Sequence, residues 1–369
     1  MKIGLLGAGR LGICLALLLE KAGYEVMASD IRKEYIQNLQ NKVIKTNEPL
    51  VQELLSESNI IFSHGNYEVI KECDIIFTLV ATPSLPDGSY DVSSVREVIR
   101  DIKNCDFDVS GKSLVIGCTT NPGDCADFQN HLKEFGVDVY YNPEFIAQGS
   151  IIKDLQHADM VLIGGEGKHL QEIRMMYYGL QLTKPSIYEM STTAAELVKL
   201  AVNCFLTTKI SYANMVGEVM AKSGISDEID TVLGAIGSDT RVGKKFLNYG
   251  YGYGGPCLPR DNRSFAAYAK KVGLEYNLGF TTDNFNEEHS KFLLNWFLGH
   301  NEKNLPYAFK SVAYKEGTDI ITESQQYKLC LGLIEAGHKV YVVDDIVKHQ
   351  CDSRIIWGQP EEDVCWIEL

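Results

Sequence analysis

Short apolar runs and helix-period segments alternate along most of the chain. The first run, "KIGLL", breaks into glycines, and "RLGICLALLLEKAG" then carries apolar residues at helical spacing and stops at Gly23. A second run, "YEVMASD", follows, and others recur at "CDIIFTLVAT", "KSLVIGCTT", "VDVYYNPEF" and "MVLIGG", with helical patterns between them. Strand–helix alternation of this kind predicts a doubly wound parallel sheet with helices on both faces, a Rossmann-like α/β fold. From about Ser191 the texture changes. "TTAAELVKLAVNCFLTTKISYANMVGEVMAKSG" is apolar at helical spacing with no strand signal, which predicts one long helix that bridges domains or packs against a second subunit. Helical patterns continue through "SFAAYAKKVG" and "NEEHSKFLLNWFLG". Near residue 306 the alternation returns, with "YAFKSVAYK" and "HKVYVVDD" as strands around the helix "SQQYKLCLGLIEAG". The pattern therefore predicts a Rossmann-like domain over residues 1–190, a central helical domain over 191–295, and a smaller C-terminal α/β domain over 296–369.

Bulk chemistry narrows the function. The 369 residues exceed one ordinary core. Lys and Arg number 35 against 49 Asp and Glu, a net charge of −14, which argues against nucleic acid or an anionic membrane as partner. Ten cysteines include no CxxC pair and no zinc-knuckle spacing, and the eight histidines fit no ligand spacing, so no metal is expected. The N-terminus lacks the charged-then-apolar pattern of a signal peptide, and no apolar stretch of about 18 residues occurs. A reducing cytoplasm is the expected location.

Two glycine-rich stretches carry candidate chemistry. Gly7-x-Gly9-x-x-Gly12 lies between a predicted strand and a predicted helix. There Gly7 permits a tight turn, Gly9 lets backbone amides reach a pyrophosphate, and Gly12 allows close packing of helix on strand. Asp30 ends the second strand, where a carboxylate accepts hydrogen bonds from a ribose diol and repels a 2′-phosphate, so NAD is favoured over NADP. Arg32 is the counter-signal, because an arginine there accommodates that phosphate. "SGKS" at 110–113 is not a P-loop, since Asp106 stands where its first glycine belongs. The second stretch, "GYGYGGPCLPRD", spends Gly250, Gly252, Gly254 and Gly255 before Cys257. It is either a flexible loop with an incidental thiol, or a backbone that comes close to a ligand and aims a nucleophile at it.

With "GAGRLG", "ATPSLPDGSYDVSSV", "NPEF" at 142–145, "AAELVKLAVNCFLTTKISYANMVGE", "GSDTRVGKKFL", the cysteine loop and "YKEGTD" all in view, the chain resembles the UDP-glucose/GDP-mannose dehydrogenase family from residue 1 to about 345. The resemblance implies NAD-dependent, four-electron oxidation of the C6 alcohol of a nucleotide sugar to a carboxylate. Cys257 would be the nucleophile that traps the aldehyde. Lys199 and Asn203, four apart on one helix face, would stabilise oxyanions, Asp261 would orient a lysine or a water, and Glu144 would be the base for thioester hydrolysis, with Thr119 helping to bind that water. An ordinary solvated helix face is the competing reading of Lys199. The resemblance places cofactor contacts at Gly7, Gly9, Arg10, Leu11, Gly12, Asp30, Thr82, Pro83 and Thr119. It places substrate contacts at Glu144, Phe145, Lys199, Asn203, Tyr249, Tyr253, Gly254 and Lys315. Arg241, otherwise a surface ion-pair residue, would reach across a homodimer to the partner's substrate.

The chain also departs from the family pattern. "GCTTNPG" (117–123) stands where the family has Lys-Ser-Thr-Val-Pro-Val-Gly, "AQG" (147–149) replaces Arg-Glu-Gly, and "HAD" (157–159) replaces Pro-x-Arg. Arg260 replaces a lysine, Thr322 an arginine, and the chain ends about 25 residues after "VYVVDD". These leave the acyl-transfer set intact and alter substrate and cofactor contacts. The competing expectations are a low-activity or non-catalytic binding homologue, and a two-electron dehydrogenase of the 6-phosphogluconate or hydroxyisobutyrate kind, which has no use for a nucleophilic thiol.

Overall fold

The computed structural model describes residues 1–369. By internal contacts the chain divides into two compact units, Met1–Lys199 and Leu200–Leu369. The first is built on eight strands: β1 (Lys2–Leu6), β2 (Glu25–Ser29), β3 (Ile61–Ser63), β4 (Ile75–Thr78), β5 (Ser113–Ile116), β6 (Asp138–Tyr141), β7 (Met160–Gly164) and β8 (Ser186–Met190). Their order is β3-β2-β1-β4-β5-β6-β7-β8. Winding reverses between β1 and β4, which creates the crevice where doubly wound folds bind ligands.

The strands read as unbroken apolar runs because both faces are covered. In β4, Ile75 and Phe77 enter one core and Ile76 the other; in β7, Val161 and Ile163 enter one and Leu162 the other. Successive side chains alternate faces, so a strand buried on both sides shows no polar alternation. The helix Arg10–Lys21 buries eight consecutive residues, Gly12–Leu19, against the first core. One expectation is corrected: the sheet is not wholly parallel. β7 runs antiparallel to β6, with Tyr141 opposite Gly164, while β8 is parallel to β7. Strand direction depends on where the connection lands, and hydrophobic pattern does not encode it.

The helix Thr192–Lys222, 31 residues and about 46 Å long at 1.5 Å per residue, runs unbroken through the end of the first unit and into the second. The second unit also holds the helices Ile229–Ser238, Leu258–Lys271 and Leu278–His300, and the helix Gln325–Glu335 beside a small sheet. That sheet comprises β9 (Tyr307–Phe309), β10 (Val340–Val342), β11 (Ile356–Trp357) and β12 (Cys365–Trp366), all parallel, in the order β11-β10-β9-β12. "YAFKSVAYK" was expected to be a strand throughout. It is one only over its first three residues, because Ser311–Lys315 turns away toward the cysteine loop, where Tyr314 packs on Gly255. No helix is long and apolar enough to cross a membrane.

Candidate active site

In the first unit the parallel strands gather the candidate residues at one edge. Gly7 follows β1, Asp30 follows β2, Thr82 and Pro83 lie beyond β4, Thr119 beyond β5 and Glu144 beyond β6, so all leave the carboxyl ends of strands that run the same way. Gly7 adopts φ +97°, and the amides of Gly7 and Ala8 donate to Ser29 O at 2.9 and 3.0 Å. A Cβ on Gly12 would lie 2.0 Å from Gly7 O, whereas one on Gly9 would meet only Arg32 Nη2, at 3.9 Å. Gly12 is therefore required by the protein itself, and Gly9 opens toward space at the start of a 12-residue helix. That opening, with the helix's positive end behind it, suits a pyrophosphate.

Asp30, where a ribose was expected, is held by its neighbour. Arg32 donates from its backbone amide and Nε to Oδ1, at 3.0 and 2.8 Å, and from Nη2 to Oδ2 at 2.8 Å. Burial works to raise the carboxyl, and the Arg32 bonds outweigh it, holding Asp30 below the usual carboxylate range. The guanidinium lies 4.0 Å from the centroid of Tyr35. Arg10, at the helix start, donates to Gln148 Oε1 at 3.2 Å, so the substituted "AQG" segment lies beside the nucleotide turn.

Beyond β6, "NPEF" and the start of the long helix form a second cluster. Lys199 is 8% exposed; its Nζ donates to the backbone carbonyl of Glu144 at 3.0 Å and stands 4.9 Å from the Phe145 ring centroid. The half-buried Glu144 carboxylate accepts from Tyr177 Oη at 2.7 Å. Desolvation raises Glu144 to about 7, against the opposing pull of the Tyr177 bond and the Lys199 charge. A carboxyl poised there takes and returns a proton at neutral pH. Thr119 is half-buried, while its neighbour Thr120 is fully buried and donates to Glu196 Oε1 at 2.8 Å.

In the second unit Cys257 directly precedes the helix Leu258–Lys271, with Pro259 in its first turn. Of the ten cysteines it alone is exposed. The glycines before it serve the protein. A Cβ on Gly252 would lie 2.1 Å from Asn286 Oδ1, on Gly254 2.3 Å from Glu323 O, and on Gly255 (φ +82°) 2.4 Å from the Tyr314 ring. At these three positions close packing against the protein itself requires glycine and fixes the loop. One turn into the helix, the buried Asp261 accepts from Asn203 Nδ2 at 2.5 Å. Arg263 ties the loop's surroundings together, bonding Asp283 at 3.1 Å and Glu323 at 2.7 Å. Tyr253 is 2% exposed with its hydroxyl 3.4 Å from Asp283, and Tyr249 packs on Gly217 and against the His289 ring. Lys315 is exposed beside Tyr314. Arg241 is exposed and paired to Asp239 within its own loop.

Comparison with known proteins decides the lineage. Residues 1–181 match the NAD-binding domain of the UDP-glucose/GDP-mannose dehydrogenase family, and residues 193–288 match its central domain. The chain belongs to that family. It is 31% identical over 355 residues to a putative UDP-glucose 6-dehydrogenase of Bacillus subtilis, covering 93% of this chain and 81% of the relative. A solved UDP-glucose dehydrogenase from the hyperthermophilic archaeon Pyrobaculum islandicum superposes with a TM-score of 0.85 at 26% identity, covering 97% of this chain and 86% of the other. A UDP-D-ManNAc dehydrogenase from Pyrococcus horikoshii gives 0.80 at 25% identity, with 93% and 83% covered. This member of the family is accordingly an NAD-dependent oxidoreductase of the nucleotide-sugar dehydrogenase type. Sequence reasoning missed Tyr177 and the role of Asn142, the Arg263–Asp283–Glu323 brace, and the hold of Arg32 on Asp30. Only the last had a signal, two residues of spacing on a strand end. The others depend on partners distant in the chain.

Proposed function

We propose that this family member oxidises the C6 alcohol of a nucleotide sugar to the carboxylate through a covalent intermediate on Cys257. The observation that carries this reading is the single exposed thiol, fixed at a helix N-terminus by a loop that three glycines pack in place. NAD, when bound, supplies the hydride acceptor, two equivalents per sugar. Between the two hydride losses, Cys257 Sγ forms a bond to the aldehyde carbon, and its proton goes to the carbonyl oxygen, giving a thiohemiacetal. After the second loss the carbon is a thioester. Glu144 takes a proton from water as the water oxygen adds to the thioester carbon, the C–S bond breaks, and the departing Cys257 sulfur takes that proton back from Glu144. Lys199 and Asn203 offer N–H donors to the oxyanions, and Asp261 holds Asn203 in position through the 2.5 Å bond. Thr119 assists the water, and Gly7, Gly9, Arg10, Leu11, Gly12, Asp30, Thr82 and Pro83 form the cofactor cradle.

The decisive experiment is a panel of UDP-, GDP-, CDP- and dTDP-sugars read by NADH formation. Two NADH per sugar with one of them supports the reading. One NADH per sugar would leave Cys257 with no covalent role.

We further propose a homodimer built on the long helix. Phe205, Tyr212, Met215 and Val219 fall within one stripe of that helix and are 43–66% exposed, an apolar face of the kind a second subunit covers. Arg241 would then serve the partner's substrate. Sedimentation at the 41.2 kDa monomer mass with full activity would contradict this.

A further inference from the structure

Tyr177 lies on the helix Leu170–Leu180 and is 2% exposed. Its hydroxyl reaches two acceptors, Glu144 Oε1 at 2.7 Å and Asn142 Oδ1 in a shorter contact. The orientation of the Asn142 amide is settled by its other end, because Nδ2 donates to Leu162 O on β7 at 2.8 Å, which leaves the carbonyl facing Tyr177. Asn142 is itself buried. Two acceptors therefore compete for one hydroxyl proton.

Protonation of Glu144 resolves the competition. The acid donates to Tyr177 Oη, Tyr177 donates to Asn142 Oδ1, and every polar atom in the row is satisfied. When Glu144 is ionised, Tyr177 turns its proton to the carboxylate, and the buried Asn142 carbonyl loses its donor, a loss that costs free energy in a dry site. We propose that Tyr177 and Asn142 form a relay that positions Glu144 and sets the pH at which it accepts a proton from water, with Tyr177 as a positioning residue. This rests on the reading of Glu144 as the hydrolytic base. No proton leaves the tyrosine in the cycle: Glu144 holds the proton taken from water until the departing Cys257 sulfur takes it, and the tyrosine hydroxyl only reorients. The titratable groups of this unit that face Glu144 are Tyr177, from the helix Leu170–Leu180, and Lys199, whose Nζ bonds the Glu144 backbone carbonyl. Burial outweighs the downward pull of the Tyr177 bond and the Lys199 charge, and Glu144 is raised to about 7.

The relay makes two removals act in opposite directions. Tyr177→Phe takes away the donor to the carboxylate and is expected to raise the Glu144 midpoint by about one pH unit; Asn142→Ala frees the Tyr177 proton for the carboxylate and is expected to lower it by about half a unit to one unit. The readout is infrared titration of the full-length protein, following the protonated-carboxyl band that disappears in Glu144→Gln. The acid limb of the kcat–pH profile should move with each midpoint, with KM for the sugar nucleotide changed less than about twofold. No shift in Tyr177→Phe, or shifts of the same sign in both variants, would overturn the relay. If Asn142→Ala does not fold, the upward shift in Tyr177→Phe still decides it. Midpoints that move as stated while the kcat limb stays fixed would confirm the relay and overturn Glu144 as the base.

Discussion

The two glycine-rich turns look alike as sequence and do opposite things in space. In the nucleotide turn, Gly12 is closed against Gly7 O while Gly9 faces little except Arg32 Nη2 at 3.9 Å. The space is left for something the chain does not contain. In the cysteine loop, the space beside Gly252, Gly254 and Gly255 is filled by Asn286, Glu323 and Tyr314, and the thiol that follows is exposed. The first turn uses absent side chains to admit a ligand. The second uses them to hold an exposed thiol in place. A glycine count cannot distinguish the two, and only the atoms opposite each missing Cβ can.

Removing the thiol should have the largest effect. Cys257→Ser should leave sugar and NAD binding intact and lower turnover by about three powers of ten or more, measured as steady-state kcat with binding by calorimetry. Next come the closed glycines. Gly12→Ala and Gly254→Ala each place a Cβ within 2.3 Å of a backbone carbonyl and should lose about 3 kcal/mol or more, seen as a lower urea midpoint. The open glycine should respond otherwise. Gly9→Ala should keep stability within about 1 kcal/mol and raise KM for NAD about tenfold, since only the ligand meets the new methyl.

The legibility of the site follows the same division. The strand–turn–helix with Asp30 at the next strand end was legible because its geometry is local, and so was the exposed setting of Cys257 beside Pro259. The antiparallel β7 was not, because strand direction is set by where Asn142–Asp159 carries the chain. The two-residue strands β11 and β12 are too short to show a period. Tyr177 sits among the apolar residues of "MMYYGL", where a tyrosine reads as packing until Glu144 and Asn142 are brought to its hydroxyl.

The smallest effect expected comes from charge at Glu144. Glu144 is raised in the folded protein from an ordinary 4.5 to about 7, so the folded state favours the protonated acid, and stability is lost as pH rises through that window. Glu144→Gln, which cannot ionise, should therefore melt a few degrees (about 2–4 °C) above the parent at pH 8, with the gap narrowing as pH falls toward about 4. A constant gap across that range would mean that Glu144 titrates at an ordinary value.

On the proposed mechanism the packed loop presents Cys257 as a covalent nucleophile whose thioester Glu144 helps to cleave. Intact-protein mass spectrometry of the Glu144→Gln protein, after incubation with NAD and the sugar nucleotide that the panel identifies, tests this most directly. The expected result is a mass increase equal to the oxidised sugar nucleotide, mapped to Cys257 and absent from the Cys257→Ser,Glu144→Gln double variant. An unmodified Glu144→Gln protein that nevertheless turns over, or an adduct on any other residue, would contradict it.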